Sequence, residues 1–184
     1  MKPRLTLALL ALVCALPVAA SYLSYYLWPP VGQMNYGELL TPTPLPNDAL
    51  TPIAGLPYGG QGLEGRWVLV YAGPAACDQV CTEALYFMRQ VRTAQGKEMD
   101  RLKRLWLVTD GGVPPASSLE GQQGLEVART APAWLDHLGG SPDAQGRIYL
   151  VDPLGLVMLR YPPSPEPRRM IKDLERLLKY SRTG

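Results

Sequence analysis

Apolar positions fall in short, regular runs along the second half of the chain. Trp67-Val68-Leu69-Val70-Tyr71 is unbroken, the pattern of a central parallel strand covered on both faces. The turn Ala72-Gly73-Pro74-Ala75-Ala76 then leads into Cys77-Asp78-Gln79-Val80-Cys81. Beyond it Val80, Ala84, Phe87, Met88 and Val91 recur at helical spacing, which predicts an amphipathic helix over residues 79–96. Residues 104–110 read as a second buried strand, 111–124 as a polar loop, and 125–138 as a helix broken at Pro132. Residues 147–152 and 156–161 flank Pro153-Leu154-Gly155 as a hairpin. A last helix has Ser164 as its cap, Pro165 in its first turn, and Met170, Ile171, Leu174, Leu177 and Leu178 as one apolar stripe.

The order β-α-β-α-β-β-α joins a central parallel pair to a terminal hairpin and a closing helix. It resembles the α/β arrangement of thioredoxin-like domains, with a cysteine motif after its first strand. In open α/β sheets the carboxyl end of a central strand is where sites form.

The N-terminus has a different pattern. After Met1-Lys2-Pro3-Arg4 an uncharged run extends from Leu5 to Trp28 and ends in Tyr22, Tyr25, Tyr26 and Trp28. As a helix it would span about 36 Å, enough for a hydrocarbon core of about 30 Å. The basic flank keeps the N-terminus in the cytoplasm, and the aromatic residues suit the far interface, so residues 1–28 are expected as a cytoplasmic N-terminus and transmembrane anchor. The alternative is a cleaved signal peptide, because Val18-Ala19-Ala20 before Ser21 has the small-residue pattern that a signal peptidase reads. Cys14 follows Val13, not a small residue, and is read as an ordinary membrane residue rather than a lipid attachment site. Residues 29–65, with seven prolines and seven glycines, are expected as an extended tether, with a short hairpin near residues 50–63 laid on a domain of residues 66–184. Without an Arg-rich transit peptide, the setting expected is a bacterial inner membrane, spanned once, with the C-terminal domain in the periplasm.

Composition narrows the function. The 184 residues carry 18 Lys and Arg against 16 Asp and Glu, a formal charge of +2, and the cations are scattered. That distribution excludes nucleic acid as a partner. The chain has one histidine, His137, and no nucleophile elbow, so Ser-His-Asp catalysis has no support.

The chemistry is carried by Cys77 and Cys81. Their spacing puts both on one helix face about 5–6 Å apart at Cβ, whereas a disulfide needs about 3.5–4.5 Å. If they bond, Cys77 must lie in the loop before the helix and Cys81 in its first turn. The helix N-terminus then favours a thiolate at Cys81, and the Asp78 carboxylate opposes it. Outside the cytoplasm such a pair persists as a disulfide. Two soft thiolates also suit Cu(I).

The anchor, the Pro/Gly tether, the Asn35-Tyr36-Gly37-Glu38-Leu39-Leu40 stretch, the strand before Cys-x-x-x-Cys, and Tyr149-Leu150-Val151-Asp152-Pro153-Leu154-Gly155 together resemble the SCO/SenC family of thioredoxin-like, membrane-anchored proteins. The resemblance covers nearly the whole chain. It implies a part in assembling the copper A site of cytochrome c oxidase, with an oxidase subunit or another assembly factor as partner. It also implies that Cys77 and Cys81 act with one histidine on copper. That histidine falls at Ala144, beside Asp143, and His137 lies seven residues earlier as the substitute ligand.

Three readings follow. Cys77 and Cys81 cycle as a thiol-disulfide oxidoreductase; or they carry Cu(I), with His137 or a partner adding a ligand; or they form a structural disulfide in a redox-inert docking module. Met88 and Met158 are read as core residues, and Pro142 stands two residues early for the proline opposite the cysteines of thioredoxins. A peroxiredoxin reading fails because Asp78, an anion, stands where a peroxide-binding hydroxyl belongs.

Overall fold

The structure, a computed structural model, describes residues 3–27, 35–44, 50–57, 63–130, 132–138 and 145–181. It divides into a unit ending at Met34 and a unit beginning at Asn35. In the first, α1 (Pro3–Leu27) is a single helix containing Pro17. By length and composition it can cross a membrane.

The second unit is built on seven strands: β1 (Glu38–Pro44), β2 (Leu50–Pro52), β3 (Trp67–Gly73), β4 (Leu102–Val108), β5 (Leu125–Thr130), β6 (Arg147–Val151) and β7 (Leu156–Arg160). They form one sheet in the order β1-β7-β6-β3-β4-β5-β2. The parallel core is β3-β4-β5, with β6 antiparallel to β3 and β7 antiparallel to β6. Side chains alternate along β3. Trp67, Leu69 and Tyr71 enter the core layer shared with α2 (Gln79–Ala94) and α5 (Pro167–Tyr180). Val68, Val70 and Ala72 enter the layer on the other side, against Trp134, Leu135 and Leu138 in and just after α4 (Pro132–His137). A one-turn helix, α3 (Ala116–Leu119), interrupts the loop after β4.

Three expectations change. Residues 125–130 are a strand, not the start of a helix. The run is too short for periodicity to decide, and pairing with β4 from Arg104↔Leu125 to Val108↔Arg129 decides it. The expected tether carries both edges of the sheet, because β1 pairs with β7 and β2 pairs with β5. Residues 38–44 and 50–52 are therefore strands of the domain's sheet. Pro42 and Pro44 hid β1, since proline in a strand is tolerated only at an edge, where a missing N–H costs no ladder bond. Finally, α5 begins at Pro167 with Glu166 at its N-cap, two residues later than the Ser164-Pro165 start, and Ser164 has φ 52. The logic of proline in the first turn holds, shifted along the chain.

The start of the domain is fastened to α5. The Asp173 carboxylate, 3% exposed, accepts the amide hydrogens of Tyr36 at 2.8 Å and Gly37 at 2.9 Å. The Tyr36 hydroxyl accepts from the Glu166 amide at 2.9 Å, and the Arg169 guanidinium lies 4.2 Å from the Tyr36 ring centroid.

Candidate redox site

At the carboxyl end of β3 the Tyr71 side chain lies close against the backbone of Gly73. Gly73 permits it, because a Cβ there would lie 2.7 Å from the Tyr71 hydroxyl. Cys77 follows in the loop with φ 30, Asp78 is the N-cap of α2, and Cys81 sits in the first helical turn. The two cysteines form a disulfide with Cα atoms 5.0 Å apart. Cys81 is fully buried, in the core layer of Leu85 and Met88, and Cys77 is half-buried at its edge. Of the two sulfurs, Cys77 is therefore the one nearer solvent.

Asp78 Oδ1 accepts the Cys81 amide hydrogen at 2.9 Å, which caps the helix. The Thr82 amide and hydroxyl both donate to the Asp78 carbonyl at 2.9 Å, and the Thr82 hydroxyl stands 3.9 Å from the Cys77 sulfur. Burial, and then the Asp78 charge, push the Tyr71 phenol up to about 12. On the loop after β4, Asp110 Oδ1 accepts the amide hydrogens of Ala75 at 3.2 Å and Gly112 at 3.1 Å. The Arg129 guanidinium donates to the Gly111 and Gly112 carbonyls, each at 3.2 Å.

Of the residues singled out in the sequence, Cys77 and Cys81 come together and His137 does not join them. His137 is exposed on α4, whose Trp134 and Leu135 pack in the layer opposite the one holding Cys81. Among the described residues no three His, Cys, Asp or Glu side chains are grouped to hold a metal. Pro142, Asp143 and Ala144 lie outside the described residues. Met88 is fully buried core, and Met158 packs at the core's edge. Once reduced, the pair offers copper two soft thiolates, and among the described residues no third donor joins them. The sequence reading passed over Asp110 and Arg129. Their signal was available in principle, since Asp110 follows the second parallel strand at the same sheet edge as the cysteines.

The fold and the paired cysteines define a thioredoxin-like α/β domain with a Cys-x-x-x-Cys disulfide at the end of its central strand. Residues 67–181 match the family model described as transmembrane-like, thioredoxin-like, C-terminal domain, and the chain belongs to that family. No curated protein matches the sequence. Among solved structures, yeast Sco1 with copper bound superposes with a TM-score of 0.57 at 14% identity, over 82% of this chain and 96% of that one. Apo Sco1 from Thermus thermophilus gives 0.55 at 19% identity, over 79% and 99%. A SCO1/SenC family lipoprotein from Bacillus anthracis gives 0.55 at 17% identity, over 76% and 99%. The fold is therefore that of SCO/SenC proteins.

Proposed function

We propose that this chain is a membrane-anchored thiol-disulfide protein of the SCO/SenC kind, held at a bacterial inner membrane with its domain in the periplasm. Its partner is a cysteine-bearing protein of cytochrome c oxidase assembly at the copper A site. The reading rests on one observation, the Cys77–Cys81 disulfide at the carboxyl end of β3 with one sulfur toward solvent and the other buried. Thiol exchange needs only a pair and access to it.

In the reduced chain the Cys77 thiolate attacks a sulfur of the partner's disulfide, forming a mixed disulfide and releasing one partner thiolate. Cys81, its proton lost to water, then attacks the Cys77 sulfur. The Cys77–Cys81 bond closes, and the second partner thiolate leaves. Two electrons pass to the partner, and its thiolates take protons from water. The buried position of Cys81 suits it to the second, resolving role.

The test uses the full-length chain in detergent, equilibrated in glutathione buffers, with Cys81→Ser to trap the mixed disulfide. The exchange reading requires a potential above about −300 mV and a trapped adduct on Cys77. A lower potential with no adduct leaves a structural disulfide and a docking module.

The copper-bound state of the yeast structure favours a second reading, in which the two thiolates carry Cu(I) as cargo. The third ligand would then come from the partner, or from His137 after a rearrangement. Titration of the reduced chain with Cu(I) against a competing chelator decides it: one-to-one binding lost in Cys77→Ser supports a carrier, and its absence leaves thiol exchange.

A further inference from the structure

Cys77 holds a left-handed backbone without being glycine, with φ 30. Such a conformation persists only where its surroundings over-determine it. The segment two residues earlier is fixed from outside, by groups at the ends of the neighbouring parallel strands. After β4, Asp110 Oδ1 takes the Ala75 amide hydrogen at 3.2 Å and the Gly112 amide hydrogen at 3.1 Å. From β5, Arg129 donates to the carbonyls of Gly111 and Gly112, each at 3.2 Å, and so fixes the loop that carries the acceptor. Gly112 fits closely against the cysteine loop, since a Cβ there would lie 2.7 Å from the Ala75 Cβ and 3.1 Å from Asp110 Oδ1. The Thr109 amide adds a bond to the Gly73 carbonyl at 3.1 Å.

We infer that Asp110 is a positioning residue for the Cys77–Cys81 pair. It ties the cysteine loop to the β4 loop, with Arg129 and Gly112 supporting it, and holds Cys77 where its sulfur meets Cys81. The hydrogen bonds join backbone to one carboxylate oxygen, so the role is geometric: an amide oxygen at the same place can serve, and a methyl cannot. The inference deepens the exchange reading and rests on it for its relevance to function. The quantity it governs, the balance between disulfide and dithiol, exists whether or not the pair exchanges with a partner.

The experiment equilibrates the full-length chain in detergent with dithiothreitol, which gives up two electrons and two protons and closes to its cyclic disulfide. This reagent reduces even a disulfide inert to glutathione. Asp110→Ala is expected to favour the dithiol about tenfold, equivalent to about 30 mV. Asp110→Asn is expected to stay within about twofold of the parent, because it keeps an acceptor oxygen. Leu135→Ala, a core change in the layer on the other side of the sheet from Cys81, should lower stability and leave the ratio unmoved. An unchanged ratio in Asp110→Ala overturns the inference, as does an equal shift in Asp110→Asn, which would make the effect one of charge. Where the parent's own potential falls tests the exchange reading separately.

Discussion

The carboxylate of Asp78 accepts the amide hydrogen of Cys81 at 2.9 Å, so the helix that carries the buried sulfur is capped by an anion one residue after the half-buried one. An N-cap of this kind is worth about 1 kcal/mol. Asp78→Ala should therefore lower the Tm by about 2–4 °C. Asp78→Asn keeps a capping oxygen and should hold most of that stability, while removing a charge that opposes thiolate formation. Its reduced form is expected to exchange severalfold faster with oxidised glutathione, read by quenched-flow alkylation.

The disulfide closes a very short loop, since its cysteines are four residues apart. By chain entropy such a loop contributes about 2 kcal/mol. Urea unfolding with and without reductant should differ by about that amount, and the reduced domain should remain folded.

Burial and Asp78 raise Tyr71 from 10.0 to about 12. The folded protein then keeps a proton that the unfolded chain has lost. This contribution is whole below about pH 10 and is lost as pH rises through about 12. The Tyr161 phenol is pushed up further, by burial and then by Asp173 and Tyr36. Phenolate absorbance should show Tyr71 and Tyr161 titrating late, and Tyr71→Phe should reduce the fall in stability across that alkaline window.

Asp173 receives the amides of Tyr36 and Gly37 within the core of the domain. Hydrogen bonds to a charged group are worth about 1.5–3 kcal/mol. Asp173→Ala should cost about that much in urea unfolding and expose residues 35–44 to protease. Gly37→Ala should act in the same direction, because its Cβ would lie 3.1 Å from the Tyr161 ring.

Met88 shares a core layer with Cys81 but serves packing alone. Met88→Leu should cost under about 1.5 kcal/mol, and Met88→Ala about 2–5 kcal/mol. Neither should change the dithiol-disulfide balance.

Local signals in the chain were enough for several elements. Trp67 to Tyr71 is apolar at every position because both faces of a central strand are covered. The stripe from Val80 to Val91 has the helical period, and the four-residue cysteine spacing forces Cys77 out of the helix if the pair bonds. Those signals lie within a few residues of the chemistry they specify. The remaining features depend on the folded arrangement, because sheet pairing and core layering join residues far apart in the chain. Leu125 to Thr130 is a strand only because β4 lies beside it. Glu38 to Pro44 is an edge only because β7 offers its free ladder. Cys81 and His137 are set apart because α2 and α4 pack on opposite faces of one sheet. Asp110 reaches the cysteine loop across 35 residues of sequence, a distance over which no spacing carries a signal and only the parallel register of β3 and β4 brings the two loops together.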